Sequence, residues 1–126
     1  MYKVLIVDDQ SNIRRMINIA LSDEFSLFEA EDGLTALDVI RREMPDVVLL
    51  DVMLPGDIDG LQVLEVIRQD PLLKHIRVIM VSAKGQVHDY EKGMSSGANA
   101  YFVKPFSPSR LIQAIKEQID EANSLR

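Results

Sequence analysis

The chain of 126 residues contains no cysteine. That absence rules out disulfides, thiolate zinc sites and cysteine nucleophiles. Histidine is scarce too. His75 and His88 stand at no ligand spacing from one another, and both read as solvated helix or loop residues. Basic charge is in deficit: 14 Lys and Arg face 20 Asp and Glu, for a net charge of −6. A nonspecific nucleic-acid surface needs clustered Lys and Arg, so none is expected. No apolar run approaches the ~18 residues of a membrane span. The N-terminal "MYKVLIVDD" turns acidic too early for a secretory signal. Low-complexity tracts are absent, and so is a G-x-x-x-x-G-K-[ST] phosphate loop. With 47% hydrophobic residues the chain can still bury a core. The expectation is one soluble, acidic, cytoplasmic domain with no membrane and no direct nucleic-acid partner.

What is present begins with five short apolar runs: Lys3–Val7, Ser26–Ala30, Val47–Leu50, Val78–Val81 and Ala100–Val103. Three of them, VLIV, VVLL and VIMV, are continuously apolar and rich in β-branched residues. Such strands are buried on both faces, as in a parallel sheet. Ser26–Ala30 is weaker and is expected near an edge. Helical stripes alternate with the runs. Ile13, Met16, Ile17, Ala20 and Leu21 follow a helical repeat. Leu34, Leu37 and Ile40 form a second stripe, ended by Pro45, and Leu61, Leu64 and Ile67 a third, ended by Pro71. A weaker fourth runs from about Val87 to Ser96, before Gly97. The fifth opens with Ser107 as N-cap and Pro108 at the first helical position, then Leu111, Ile112, Ile115 and Ile119. Five βα repeats predict an α/β fold, an open parallel sheet covered by helices. Ligands in such folds sit beyond the carboxyl ends of the strands.

That rule directs attention to the strand ends. The first ends in Asp8-Asp9, the third in Asp51, the fourth in Ser82 and the fifth in Lys104-Pro105. Like charges ~4 Å apart repel by about 4 kcal/mol at an effective dielectric of 20, so adjacent carboxylates at a buried strand end need compensation. A hard divalent cation such as Mg²⁺ supplies it, because it takes oxygen ligands and keeps several waters. A phosphoryl group beside the cation then becomes plausible. Lys104 can hold one of its oxygens as a point charge, and the Ser82 hydroxyl can donate to another. Asp51 can itself attack phosphorus. Each residue alone has a plainer reading. Asp8 and Asp9 can be helix caps, Asp51 a turn acid, Ser82 a helix-start residue and Lys104 a solvated lysine. Their coincidence at one sheet edge argues for the joint reading.

Here the sequence closely resembles the receiver domain of two-component response regulators. The likeness spans nearly the whole chain. It rests on "VLIVDD", "VVLLDVMLPG", "DG" at 59–60, "VIMVSA" and "GANAYFVKPF", in that order. The resemblance implies a flavodoxin-like (βα)₅ fold with a parallel sheet in strand order 2-1-3-4-5 and helices on both faces. Residues 1–126 would be one receiver domain, with no effector domain in this chain. Asp51 would be the phosphoacceptor. Mg²⁺ would be held by Asp8, Asp9, Asp51 and the backbone carbonyl of Met53, with Asp8 acting mostly through water. Lys104 would pair with the phosphoryl group, and Lys104-Pro105 would be a cis peptide. Ser82 and Tyr101 would be the switch pair, and Met53 and Lys84 the positions that tune hydrolysis. A histidine kinase or histidine phosphotransfer protein would supply the phosphoryl group. A downstream protein would dock on the fourth helix, fifth strand and fifth helix, including Tyr90, Tyr101 and Ile112. The protein would be a monomer or a phosphorylation-dependent dimer. It would not be an enzyme in the usual sense, since it would act only on itself.

Two departures from the family pattern stand out. Asp51 to Asp59 is eight residues where the family usually has seven, so "LPGDID" carries one extra. "GANAYF" also lacks the acidic pair that many DNA-binding members have before the aromatic. That makes a phosphorylation-driven dimer less expected. Three rivals are weaker. A Mg²⁺-dependent aspartyl-phosphate phosphatase would want a second Asp where Met53 stands. A flavodoxin-like cofactor binder would want a Ser/Thr/Gly-rich loop where "DDQSNIRR" puts two acids. A degenerate receiver that only makes contacts would not need Asp8, Asp9, Asp51, Ser82 and Lys104 intact.

Overall fold

A computed structural model describes residues 1–83 and 87–125, and the side chains of these except 87–89. Lys84 and the side chain of His88, both singled out above, lie outside the described residues. Strands and helices alternate as β1 (Lys3–Val7), α1 (Ser11–Leu21), β2 (Ser26–Ala30), α2 (Gly33–Glu43), β3 (Val47–Asp51), α3 (Gly60–Gln69), β4 (Arg77–Ser82), α4 (Val87–Ser95), β5 (Ala100–Val103) and α5 (Pro108–Ser124). All strand pairs are parallel, in the order β2-β1-β3-β4-β5. The three continuously apolar runs are the three central strands. Val4–Val7, Val47–Leu50 and Val78–Val81 are all buried. β2 is an edge strand, which explains its mixed character.

Alternate residues of each central strand face opposite helical layers. Val4, Ile6, Leu49 and Ile79 pack with Ile17 and Leu21 of α1 and with Leu111 and Ile115 of α5. Leu5, Val7, Leu50 and Met80 pack with Ile40 of α2 and with Leu64 and Ile67 of α3. Both faces are thus covered, and each run needs an apolar side chain at every position. Among the described residues, no helix is long and apolar enough to cross a membrane.

Local signals account for the helix ends. Asp32 caps α2 by accepting from the Thr35 amide at 2.8 Å. Met44 closes the same helix in a left-handed conformation, φ 49°, just before Pro45. Asp59 and Gln62 form a reciprocal capping box at the start of α3. The expected cap at α5 differs in detail. Ser107 holds the N-cap position but makes no cap hydrogen bond, and its Oγ lies 2.8 Å from Ser109 Oγ. Two strands outrun their apolar cores: β3 includes Asp51, and β4 runs from Arg77 to Ser82. Parallel pairing brings every carboxyl end of the sheet to one edge, where Asp51 sits level with Val81.

Candidate functional site

β1 presents Asp8 directly after buried Val7, and β3 presents Asp51 as its final residue. β5 leads through Val103 into Lys104. The Lys104 amide donates to the Ser82 carbonyl at 2.8 Å and the Val52 amide to the Val81 carbonyl at 2.9 Å. These bonds carry the sheet's spacing past its formal end. Carboxylate oxygens of Asp8, Asp9 and Asp51 all lie within 4.8 Å of one another. Asp8 and Asp51 are buried and Asp9 is exposed. Lys104 Nζ donates to Asp8 Oδ2 at 2.8 Å and to Asp51 Oδ2 at 3.0 Å. Its side chain is only 20% exposed, so the solvated-lysine reading fails.

The helix-cap reading of the two acids fails as well. The N-cap of α1 is Gln10, and it makes no side-chain cap bond. Asp8 Oδ1 instead accepts from the Gln10 amide at 2.9 Å, and Asp51 Oδ1 accepts from the Met53 amide at 3.1 Å. Lys104 pairs with two of the three carboxylates and Asp9 stands beside them, so among the described residues negative charge is in excess. Burial pushes the Asp51 carboxyl above the ordinary carboxylate value, against the pull of Lys104, and the Asp8 charge adds to the rise. Burial alone would lower Lys104. Its hydrogen bonds to Asp8 and Asp51 outweigh that and hold the ammonium above the usual lysine value. Oxygen donors alone, a surplus of negative charge and one solvent-facing ligand suit a hard divalent cation that keeps waters.

Ser82 is 1% exposed, and its Oγ finds no hydrogen-bond partner among the described residues. A buried hydroxyl without a partner costs about 1–3 kcal/mol, so Ser82 holds a donor in reserve. The side chain of Met53 is exposed on the β3–α3 loop. The Lys104-Pro105 peptide is cis. On β5, the Tyr101 ring meets Tyr90 edge-to-face with centroids 5.3 Å apart.

Residues 4–116 match the family model described as the response regulator receiver domain. The chain belongs to this family. This receiver is 38% identical over 118 residues to sporulation initiation phosphotransferase F of Bacillus subtilis, a match covering 93% of each protein. It is 37% identical over 115 residues to the phosphate regulon transcriptional regulatory protein PhoB of Klebsiella pneumoniae, which covers 90% of this chain and 50% of that one. The chain thus spans about half the length of such transcriptional-regulator relatives. A CheY-like receiver domain from Methanospirillum hungatei superimposes with a TM-score of 0.92 at 28% identity, covering 100% of this chain and 99% of the other.

Two residues of the receiver escaped the sequence reading. Arg14 Nη1 donates to the Asp8 backbone carbonyl at 2.7 Å, and its Nε donates to Glu29 Oε1 at 3.0 Å. It is a positioning residue that fixes the turn carrying Asp8 and Asp9. Its acceptor is a backbone atom, which no motif announces. Gly60 entered only as half of "DG". Its amide donates to the Val52 carbonyl at 2.9 Å, and a Cβ there would collide with the Asp51 carbonyl. The glycine lets the start of α3 press against the end of β3.

Proposed function

We propose that this receiver accepts a phosphoryl group on Asp51 and uses it to change partner binding. The observation that carries the reading is Lys104 held between two buried carboxylates, Asp8 and Asp51, with Asp9 beside them. In the transfer, an Asp51 carboxylate oxygen forms a bond to the phosphorus of a phosphohistidine. The P–N bond breaks and the imidazole leaves. Mg²⁺ bound by Asp8, Asp9, Asp51 and the Met53 carbonyl would neutralise charge on the transferring group. Lys104 turns from the Asp51 carboxylate to a phosphoryl oxygen. The buried Ser82 hydroxyl, with its donor in reserve, moves to another. Tyr101 then fills the space Ser82 leaves, which shifts a population between two packings of the same fold.

The donor is a histidine kinase or histidine phosphotransfer protein, met in the cytoplasm. The output is a protein contact through α4, β5 and α5, where Tyr90 is half-exposed and Tyr101 and Ile112 are partly buried. The receiver works as a monomer or as a phosphorylation-dependent dimer, and its catalysis is confined to its own modification. Acetyl phosphate with Mg²⁺ should add one phosphoryl group, read by intact mass, and Asp51→Asn should abolish the addition. Undiminished addition in that variant would overturn the assignment.

A further inference from the structure

The opposite edge of the sheet, where the strands begin, carries the reverse charge. There Tyr2, Met44, Arg68, Lys74, Arg77 and Leu125 are among the residues lining a cavity of about 470 Å³. That volume falls within the 300–1,000 Å³ usual for small-molecule sites. Among the described residues, three cations line it against one carboxylate, Asp46, in a chain whose net charge is −6. Asp46 Oδ2 is already engaged by the Lys3 amide at 2.8 Å. Among the described residues, none of the three cations has an ion-pair partner.

The two arginines are used differently. Arg68 is spent on neutral acceptors: the carbonyls of Gly97, Lys74 and Ile76 at 2.8, 3.1 and 2.7 Å, and Asn99 Oδ1 at 2.8 Å. These bonds fix its position without cancelling its charge. Burial, and then the charge of Arg77, hold Arg68 below the usual guanidinium value. Arg77 makes one long bond, Nη1 to Gln118 Oε1 at 3.5 Å. The rest of its planar fork has no acceptor among the described residues. Such a fork matches two oxygens of one carboxylate or phosphoryl group. Lys74 is exposed in the same lining, and Tyr2, Met44 and Leu125 add exposed apolar surface to it.

We propose that this basal cavity binds a small amphipathic oxyanion. Its carboxylate or phosphoryl group sits on the Arg77 fork and Lys74, and its apolar body lies against Tyr2, Met44 and Leu125. The site lies at the far end of the sheet from Asp51 and does not depend on phosphorylation.

The test is an amide NMR titration of the full chain without divalent cations, using benzoate and phenylphosphonate. Phenylphosphonate has no phosphoryl group to transfer, so it cannot modify Asp51. We expect saturable shifts at the amides of Met44, Asp46, residues 74–77 and residues 119–123, and unmoved amides at Asp8, Asp9 and Asp51. The stronger probe identifies the preferred oxyanion. Arg77→Gln should weaken binding about tenfold or more, and Arg77→Lys should recover only part of that, because it restores charge without the fork. Lys74→Gln, at an exposed position, should weaken binding several-fold and serves if the Arg77 variants do not fold. Absent or non-saturable shifts, shifts confined to the acidic edge, or full affinity in both Arg77→Gln and Lys74→Gln would overturn the proposal.

Discussion

Without Lys104, Asp8 and Asp51 would face each other buried and without a counter-charge. Breaking a buried pair by removing one partner costs about 3–5 kcal/mol. The Lys104 side chain is 20% exposed, so solvent relieves part of that. Lys104→Ala should therefore lower the stability of the cation-free protein by about 2 kcal/mol in chelator. Mg²⁺ should raise the melting temperature of this variant at least as much as that of the wild type, while phosphorylation is impaired. Arg14 acts one step further out, on the carbonyl of Asp8. Partners that orient a metal ligand are typically worth 10–100-fold in affinity. Arg14→Ala should weaken Mg²⁺ binding by about tenfold in a calorimetric titration while leaving the chain folded, and unchanged affinity would remove Arg14 from the site. The contrast between these residues shows what was legible. The strand-end positions of Asp8, Asp9, Asp51, Ser82 and Lys104 were legible because each closes or follows a recognisable apolar run. The role of Arg14 was not, because its function lies in a bond to the main chain formed only after α1 packs beside β1.

At the level of elements, the meeting of β3 and α3 is the tightest joint near the site. Gly60 has no Cβ, and Asp59 and Gln62 close the capping box just beside it. A side chain at 60 must push the start of α3 away from the Asp51 carbonyl. Overpacking of this kind costs about 1–3 kcal/mol, and a backbone obstacle puts it toward the upper end. Gly60→Ala should lower stability by about 2–3 kcal/mol in denaturant unfolding and should slow phosphorylation, because it displaces the loop that carries Met53. A variant as stable and reactive as wild type would contradict the close approach. Element types were readable from period and punctuation, since Pro45 and Pro71 follow the ends of α2 and α3. Ser107 does hold the N-cap position of α5, but without a cap hydrogen bond. A serine at the N-cap position can equally spend its hydroxyl on a neighbouring side chain, as it does on Ser109. The extra residue in "LPGDID" lies in the loop before α3. Ile58 from that loop packs against Gly33 at the start of α2, a contact that sequence spacing alone does not reveal.

For the whole molecule, alternating βα units with doubly buried strands made the parallel sheet legible from hydrophobic pattern alone. Strand order was not, because a continuous apolar run does not name its neighbours. The order came from resemblance to the family, and the sheet has it. The basal cavity was invisible beforehand, because Arg68, Lys74 and Arg77 gather only when α3, the following loop and β4 are folded together. The molecule thus has an acidic cluster at one sheet edge and a cationic hollow at the other. The central claim concerns the acidic edge, and locating the modification tests it most directly. The receiver, treated with acetyl phosphate and Mg²⁺, is reduced with borohydride, which converts an aspartyl phosphate to homoserine, and the peptides are mapped by mass spectrometry. The account predicts conversion at Asp51 alone, dependent on Mg²⁺. Conversion at Asp8, Asp9 or any other carboxylate, with Asp51 unchanged, would contradict it.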